Sequence, residues 1–248
     1  MAIILSIKSK TARLLKKECK IPLIRDTNID YIEGAPDLLI RWGSRKSLPI
    51  TFQRVLNKPE AIKKASNKAE CRKLLTSKRI PVPAPSETEF PVIGRPAKHK
   101  AGSGFFVCNN EQEIINAKIN GAVYFSKFYP KTKEYRVHVA GDKTLLVSVK
   151  EGDTTKMIWN KRLSNFNFRH MHRSEWLENE DLFYMVRLAK KAIRVIGLDF
   201  GAVDVLAFPI DQSLPKFVVC EVNTTPALSP LAISKYVKYF NKVLDKSE

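Results

Sequence analysis

The sequence predicts a mixed α/β (α+β) fold, and three observations carry that prediction. Residues 1 to about 56 alternate short apolar strands with a basic helix. Residues 122–151 read as three successive strands, with a turn at Gly141-Asp142. Residues 197–226, GLDFGAVDVLAFPIDQSLPKFVVCEVNTTP, read as a helix end and two strands, with prolines at the edges of a polar link. At 248 residues the chain has room for one good core or for two to three small lobes.

Taken in order, MAIILSI is a strand, and SKTARLLKKECK a helix with Ala12, Leu15 and Cys19 on its apolar side. Residues 21–25 and 37–42 are further strands. Residues 57–79 form a basic helical stretch with Ala61, Ala65, Ala69 and Leu74 or Leu75 as the buried stripe. Pro81, Pro83 and Pro85 end it and extend the chain. FPVIGRPAKHKAGSGFFVC is a hairpin, with a helix starting near Asn110. Its centre joins Arg95, Lys98 and Lys100 to Gly102-Ser-Gly104, where backbone N–H groups and cations can approach phosphate, although any hairpin can carry such a loop. Alternation then puts Glu134, Arg136 and His138 on one strand face and Tyr135, Val137 and Val139 on the other. Residues 151–180 read as an irregular polar and aromatic loop of the kind that carries specificity, with His170 and His172 on the surface. Residues 181–196 are an amphipathic helix stopped by Gly197, and 231–245 a closing helix.

Composition narrows the class. A hydrophobic content of 44% is ordinary for a globular protein, and no apolar run nears the roughly 18 residues that cross a bilayer. Lysines follow MAIILSI rather than precede it, which reads as a first strand and not a signal peptide. Cys19, Cys71, Cys108 and Cys220 show no CxxC spacing and read as reduced thiols of a cytoplasmic protein. The net charge of +18 attracts polyanions, such as nucleotides, nucleic acid or acidic peptide. A solvated lysine face that serves solubility is the plainer account of part of it.

The last strand pair carries the chemistry. Folded about Gln212 and Ser213, it sets Asp204 opposite Glu221 with side chains about 5 Å apart. Asn223, two residues on, projects from the same face. Adjacent carboxylates repel unless a cation lies between them, and all-oxygen donors suit Mg2+, which completes its shell with water and phosphates. The bland alternative is an exposed sheet face where both acids are merely solvated.

Gly201-Ala-Val-Asp204 followed by Cys220-Glu221-Val-Asn223-Thr-Thr-Pro226-Ala-Leu228 resembles the motif pair of the ATP-grasp carboxylate–amine ligases. That pattern is an Asp on one strand, then Glu-x-Asn-x-x-Pro-Gly on its neighbour; Ala227 stands where glycine is usual. Glu134-Tyr135-Arg136 matches the family's E-x-R, and the resemblance covers about residues 55–230. It implies an ATP-grasp fold with a short α/β lobe over 1–56, a helix and small lid lobe over 57–122, and a C-terminal lobe over 123–248.

The resemblance also implies roles. Asp204, Glu221 and Asn223 hold Mg2+ against the phosphates of ATP. Lys68 reaches those phosphates; Arg95 or Lys98 stands for the usual lid lysine, beside Gly102 and Gly104. Lys127, Phe128 and Tyr129 match the hinge whose backbone pairs with adenine, without the acidic residue common there. Glu134 lies at the nucleotide, and Arg136 and Lys150 neutralise the transferring phosphoryl. Apart from the resemblance, Asn160 and Arg162 in the polar 151–180 loop read as substrate or phosphate contacts. The implied reaction joins a carboxylate to an amine through an acyl phosphate, releasing ADP, as in peptide- or protein-directed ligases and compact phage-type members. The charge points to an acidic or nucleic-acid-linked acceptor, and no membrane partner is expected. A small-molecule kinase on the same fold and a non-catalytic nucleic-acid-binding protein are the alternatives; the second leaves the paired carboxylates unexplained.

Overall fold

The computed structural model describes residues 2–7, 9–28, 37–48, 51–96, 105–153, 166–208 and 216–245. The N-terminal lobe is a parallel sheet in the order β2-β1-β3-β4, built from β1 (Ala2–Ser6), β2 (Leu23–Arg25), β3 (Leu38–Trp42) and β4 (Arg54–Leu56). Every residue of β1 and β3 is buried, as a parallel strand covered on both faces requires. Helix α1 (Lys10–Cys19) begins at Ser9, whose hydroxyl accepts from the Ala12 amide.

The basic stretch expected as one helical run is two helices, α2 (Pro59–Ser66) and α3 (Lys68–Ser77). Asn67 breaks it: its backbone is extended, and its side chain accepts from the Glu70 amide to cap α3. Lys68 thereby becomes the first residue of a helix. A small antiparallel sheet follows in the order β6-β5-β7, from β5 (Val92–Arg95), β6 (Phe106–Cys108) and β7 (Tyr124–Lys127), with α4 (Glu111–Ile119) packed on it. Asn110 caps α4, where the sequence places the helix start.

The large sheet has the order β10-β9-β8-β11-β12, from β8 (Lys133–Ala140), β9 (Lys143–Glu151), β10 (Asn167–His170), β11 (Phe200–Ala207) and β12 (Phe217–Asn223). One face is apolar. Tyr135, Val137, Val147, Val149, Val203, Val205 and Val219 pack there against α6 (Glu180–Ile196) and against α2 and α3. Met185, Val186, Leu188, Ile193 and Ile196 of α6 are nearly fully buried, each contributing about 1.5–3 kcal/mol relative to exposure. Gly197 closes α6 at φ 86°, a left-handed backbone that glycine adopts without strain.

Residues 166–180 are not the irregular loop the sequence reading expects. Asn-Phe-Arg-His alternates well enough to add β10 to the sheet edge, and α5 (Arg173–Leu177) follows with His172 as its cap. At the other end of the sheet, α7 (Pro230–Leu244) joins the two lobes. Trp42 of β3 stacks on Phe200 and meets Tyr236 edge-on, so it is a packing residue. Asn57 ties the same junction: its side chain accepts from the Asp199 and Phe200 amides and donates to the Phe200 carbonyl. The four cysteines are free. Among the described residues no helix is long and apolar enough to cross a membrane.

Candidate functional site

The polar face of the large sheet carries one continuous row of side chains. In register across the five strands stand His170, Ser148, Arg136, Asp204 and Glu221. With strands about 4.8 Å apart the row is roughly 19 Å long. Period-two alternation explains how each strand adds one polar residue to this face while its neighbours go to the core.

Strand β12 needs a further device. Val219 is in the core, so in a regular strand Glu221, two residues on, would be in the core as well. A bulge prevents this: Val205 pairs with Val219 and Asp204 with Glu221, leaving Cys220 as the extra residue. Glu221 and Asn223 then share the face of Asp204, as the sequence register expects, while Val222 returns to the core. Gly201 lets the strands close up beside Asn223, since a Cβ there would lie 2.9 Å from the Asn223 carbonyl oxygen.

Every acid of the site has a cation. Arg136 donates to both oxygens of Asp204, at 2.7 and 2.8 Å, and Asn223 Nδ2 adds a third hydrogen bond at 3.1 Å. Burial alone would raise the Asp204 carboxyl; the guanidinium overrides it and holds the pKa below the usual value. Lys68, at the start of α3, lies 3.1 Å from Glu221. Glu134 accepts from Lys150 and, at 3.1 Å, from Lys131. The Phe168 ring lies under the Arg136 guanidinium at 4.6 Å and near the Lys150 ammonium at 5.5 Å.

Of the residues singled out from the sequence, Lys68, Glu134, Arg136, Lys150, Asp204, Glu221 and Asn223 therefore gather on one surface. Arg95 ends β5 over the Phe105 ring, and Lys127 ends β7 in an ion pair with Glu89. The Lys127 and Phe128 amides already donate to Ala84 and Pro91, and Tyr129 is buried against Phe208. Lys98, Gly102, Gly104, Asn160 and Arg162 lie outside the described residues. Sequence reasoning missed Ser148 and Lys131, and it read His170 as a surface residue.

Asp204, Glu221 and Asn223 offer two carboxylates and an amide, a hard oxygen set that fits Mg2+ completed by water and phosphate. Among the described residues no group of three or more His, Cys, Asp or Glu gathers as a metal site. His138, next to Arg136 on the same face, is neutral: burial first, then Arg136, push its pKa down to about 3. Tyr236 donates to the Gly201 carbonyl, so His138 Nδ1 is the donor in the 3.4 Å contact between the two side chains.

By sequence, no protein-family model and no curated protein matches the chain. Its backbone does match solved structures along nearly its whole length. The ATP-grasp ligase PsnB, complexed with a phosphomimetic variant of its minimal precursor, Mg and ADP, matches at TM-score 0.68 and 11% identity, over 99% of this chain and 98% of that one. D-alanine–D-alanine ligase from Bacillus anthracis matches at 0.69 and 14%, over 100% and 97%. A biotin carboxylase–βγ-ATP complex from Campylobacter jejuni matches at 0.62 and 15%, over 95% and 70%. The chain has the ATP-grasp fold.

Proposed function

We propose that this protein is an ATP-dependent, ADP-forming carboxylate–amine ligase. One observation carries the reading: on an ATP-grasp fold, Asp204 and Glu221 face each other on adjacent strands, with Arg136, Lys150 and Lys68 on the same surface. Carboxylates and cations so arranged suit a metal–triphosphate group, which presents both charges at once. PsnB is solved with Mg and ADP, and the Bacillus anthracis ligase with ATP. By that likeness ATP is the nucleotide here, and Asp204, Glu221 and Asn223 hold Mg2+. The ion would supply neutralisation of phosphate charge.

A free carboxylate is a poor acyl donor, because its leaving group would be oxide. Phosphorylation corrects this. A substrate carboxylate oxygen bonds to the γ-phosphorus, the bond to the bridging oxygen breaks, and ADP leaves with the electron pair. The amine nitrogen then bonds to the acyl carbon, and phosphate leaves. Arg136 and Lys150 offset the charge on the transferring phosphoryl, and Phe168 holds both cations from below. An adenine ring at the 127–129 hinge would use backbone atoms other than the Lys127 and Phe128 amides. The +18 charge favours an acidic acceptor, peptide or nucleic-acid-linked.

Calorimetry of ATP binding with and without Mg2+, on wild type and Glu221→Gln, tests the site. Mg2+-dependent binding that the variant loses supports it and opens a screen of carboxylates and amines by ADP release. No nucleotide binding by wild type would overturn it.

A further inference from the structure

The polar row continues past the phosphate-binding cations to a pair of residues that the reading above leaves without a task. His170 and Ser148 stand opposite each other on β10 and β9, with His170 Nδ1 2.9 Å from Ser148 Oγ. Ser148 is 2% exposed, and His170 is half-buried. Ser148 is in turn opposite Arg136. The row therefore runs from the metal-type ligands, through Arg136, to a hydrogen-bonded histidine. Side chains of β10 do reach the reacting region: Phe168, on the same face as His170, lies within 4.6 Å of the Arg136 guanidinium.

We infer that His170 is the proton acceptor for the attacking amine, and that Ser148 is the positioning residue that orients its ring. This rests on the ligase reading. The nucleotide end of the row is set by Asp204 and Glu221, on the side of the sheet that meets the 57–122 segment: the Val219 amide of β12 donates to the Pro81 carbonyl, and Lys68 pairs with Glu221. An acyl group activated over Arg136 then has its other side toward β9 and β10, where the amine must enter. An amine arrives protonated at neutral pH and is no nucleophile until it loses that proton. With Nδ1–H donating to Ser148 Oγ, the Nε2 lone pair is open to accept it. Once Nε2 has taken that proton, the C–N bond forms, the C–O bond to phosphate breaks with the electron pair leaving on phosphate, and the nitrogen's second surplus proton leaves on the departing phosphate.

The groups around His170 are suited to this role. Ser148 is uncharged, and Lys150 on β9 is paired with Glu134. On β8, Arg136 is paired with Asp204, and His138 is held neutral beside Tyr236 of α7. Strand β10 is followed by His172, which caps α5 and bonds to Ser174. The HMH sequence thus divides its two histidines between catalysis and a helix cap.

The test uses Mg2+, ATP and, as carboxylates and amines, the twenty common amino acids, acidic peptides and amino-bearing oligonucleotides, with hydroxylamine as the alternative nucleophile. Hydroxylamine is largely unprotonated at neutral pH and needs no base. His170→Ala is expected to keep hydroxamate formation within a few-fold of wild type and to lose amide formation by about 10²-fold or more. The wild-type amide rate should show an acid limb that hydroxamate formation lacks, and this limb should vanish in His170→Ala. Ser148→Ala should lower the amide rate less and move the limb. Equal loss of both products, or of neither, would overturn the inference. If wild type forms neither product, the ligase reading itself fails and this inference falls with it.

Discussion

Arg136 grips Asp204 at two points, Nε to Oδ1 at 2.7 Å and an amino group to Oδ2 at 2.8 Å, on the polar face of the large sheet. Asp204 is only 7% exposed, so its charge depends on that partner. Removing one member of a buried pair leaves the other charge uncompensated, at a cost of about 3–5 kcal/mol. Arg136→Ala should lower denaturant stability by that order, with Arg136→Lys between it and wild type, because lysine keeps the charge and loses the fork. If the site acts as proposed, ADP formation in Arg136→Ala should fall by about 10²–10³. Unchanged unfolding of the alanine variant would refute the pairing.

Lys68 and Glu221 form a second, more open pair at 3.1 Å; in the proposed site this sets the phosphate-reaching cation on a metal ligand. Binding of a metal–nucleotide would exchange those partners. On that reading, Lys68 competes with the metal when no nucleotide is bound. Lys68→Met should therefore bind Mn2+ alone two- to fivefold more tightly, as expected for a partly exposed pair worth about 0.2–1 kcal/mol, while binding ATP more weakly. Electron paramagnetic resonance of free Mn2+ measures the first and calorimetry the second. Weaker metal binding by the variant would contradict the exchange.

Asn57 is fully buried at φ 61° and makes three side-chain hydrogen bonds to the backbone at Asp199 and Phe200. Asn57→Ala leaves buried amides unpaired and strains the left-handed backbone, so a loss of at least about 2 kcal/mol is expected. Asn57→Gly loses the same bonds without the strain. It should be no less stable than the alanine variant in urea unfolding, despite its smaller side chain.

His138 links acid and stability. Its pKa is about 3 in the folded protein and about 6.5 in an unfolded chain, so between those values the unfolded chain holds the extra proton. Stability is then full above about pH 6.5 and declines as pH falls toward 3. The slope from this group is at most about 1.4 kcal/mol per pH unit. Asp204, with its pKa held low, adds loss in the same direction. Thermal melts of His138→Asn across that window should show a shallower slope than wild type; an identical slope would exclude His138 as a source.

The face assignments on β8 were legible because they depend only on strand periodicity. The Asp204–Glu221 opposition was expected too, but the structure reaches it through the bulge: nearer the turn Ala207, Leu206 and Val205 pair with Phe217, Val218 and Val219, one residue off the register of a turn at Gln212 and Ser213. The helix break at Asn67 was not, because it takes one side chain choosing a cap over a continuing helix. Nor was β10: four residues are too short a stretch for alternation to distinguish an edge strand from a loop. Lys98, Gly102 and Gly104 rest on the resemblance and Asn160 and Arg162 on the character of their loop; all five lie outside the described residues.

By itself, the sequence determined which residues are available on the polar face: alternation forces Glu134, Arg136 and His138 to one side, whatever the strands pair with. Tertiary structure decided what those residues meet. The bulge at Cys220 let Val219 stay in the core while Glu221 turned to the site. The strand order set Ser148 and His170 in line with Arg136, although they are 12 and 34 positions further along the chain. The reason is physical: periodicity is a local property of the backbone, whereas hydrogen-bond register between distant strands is settled only when the whole sheet closes on its core.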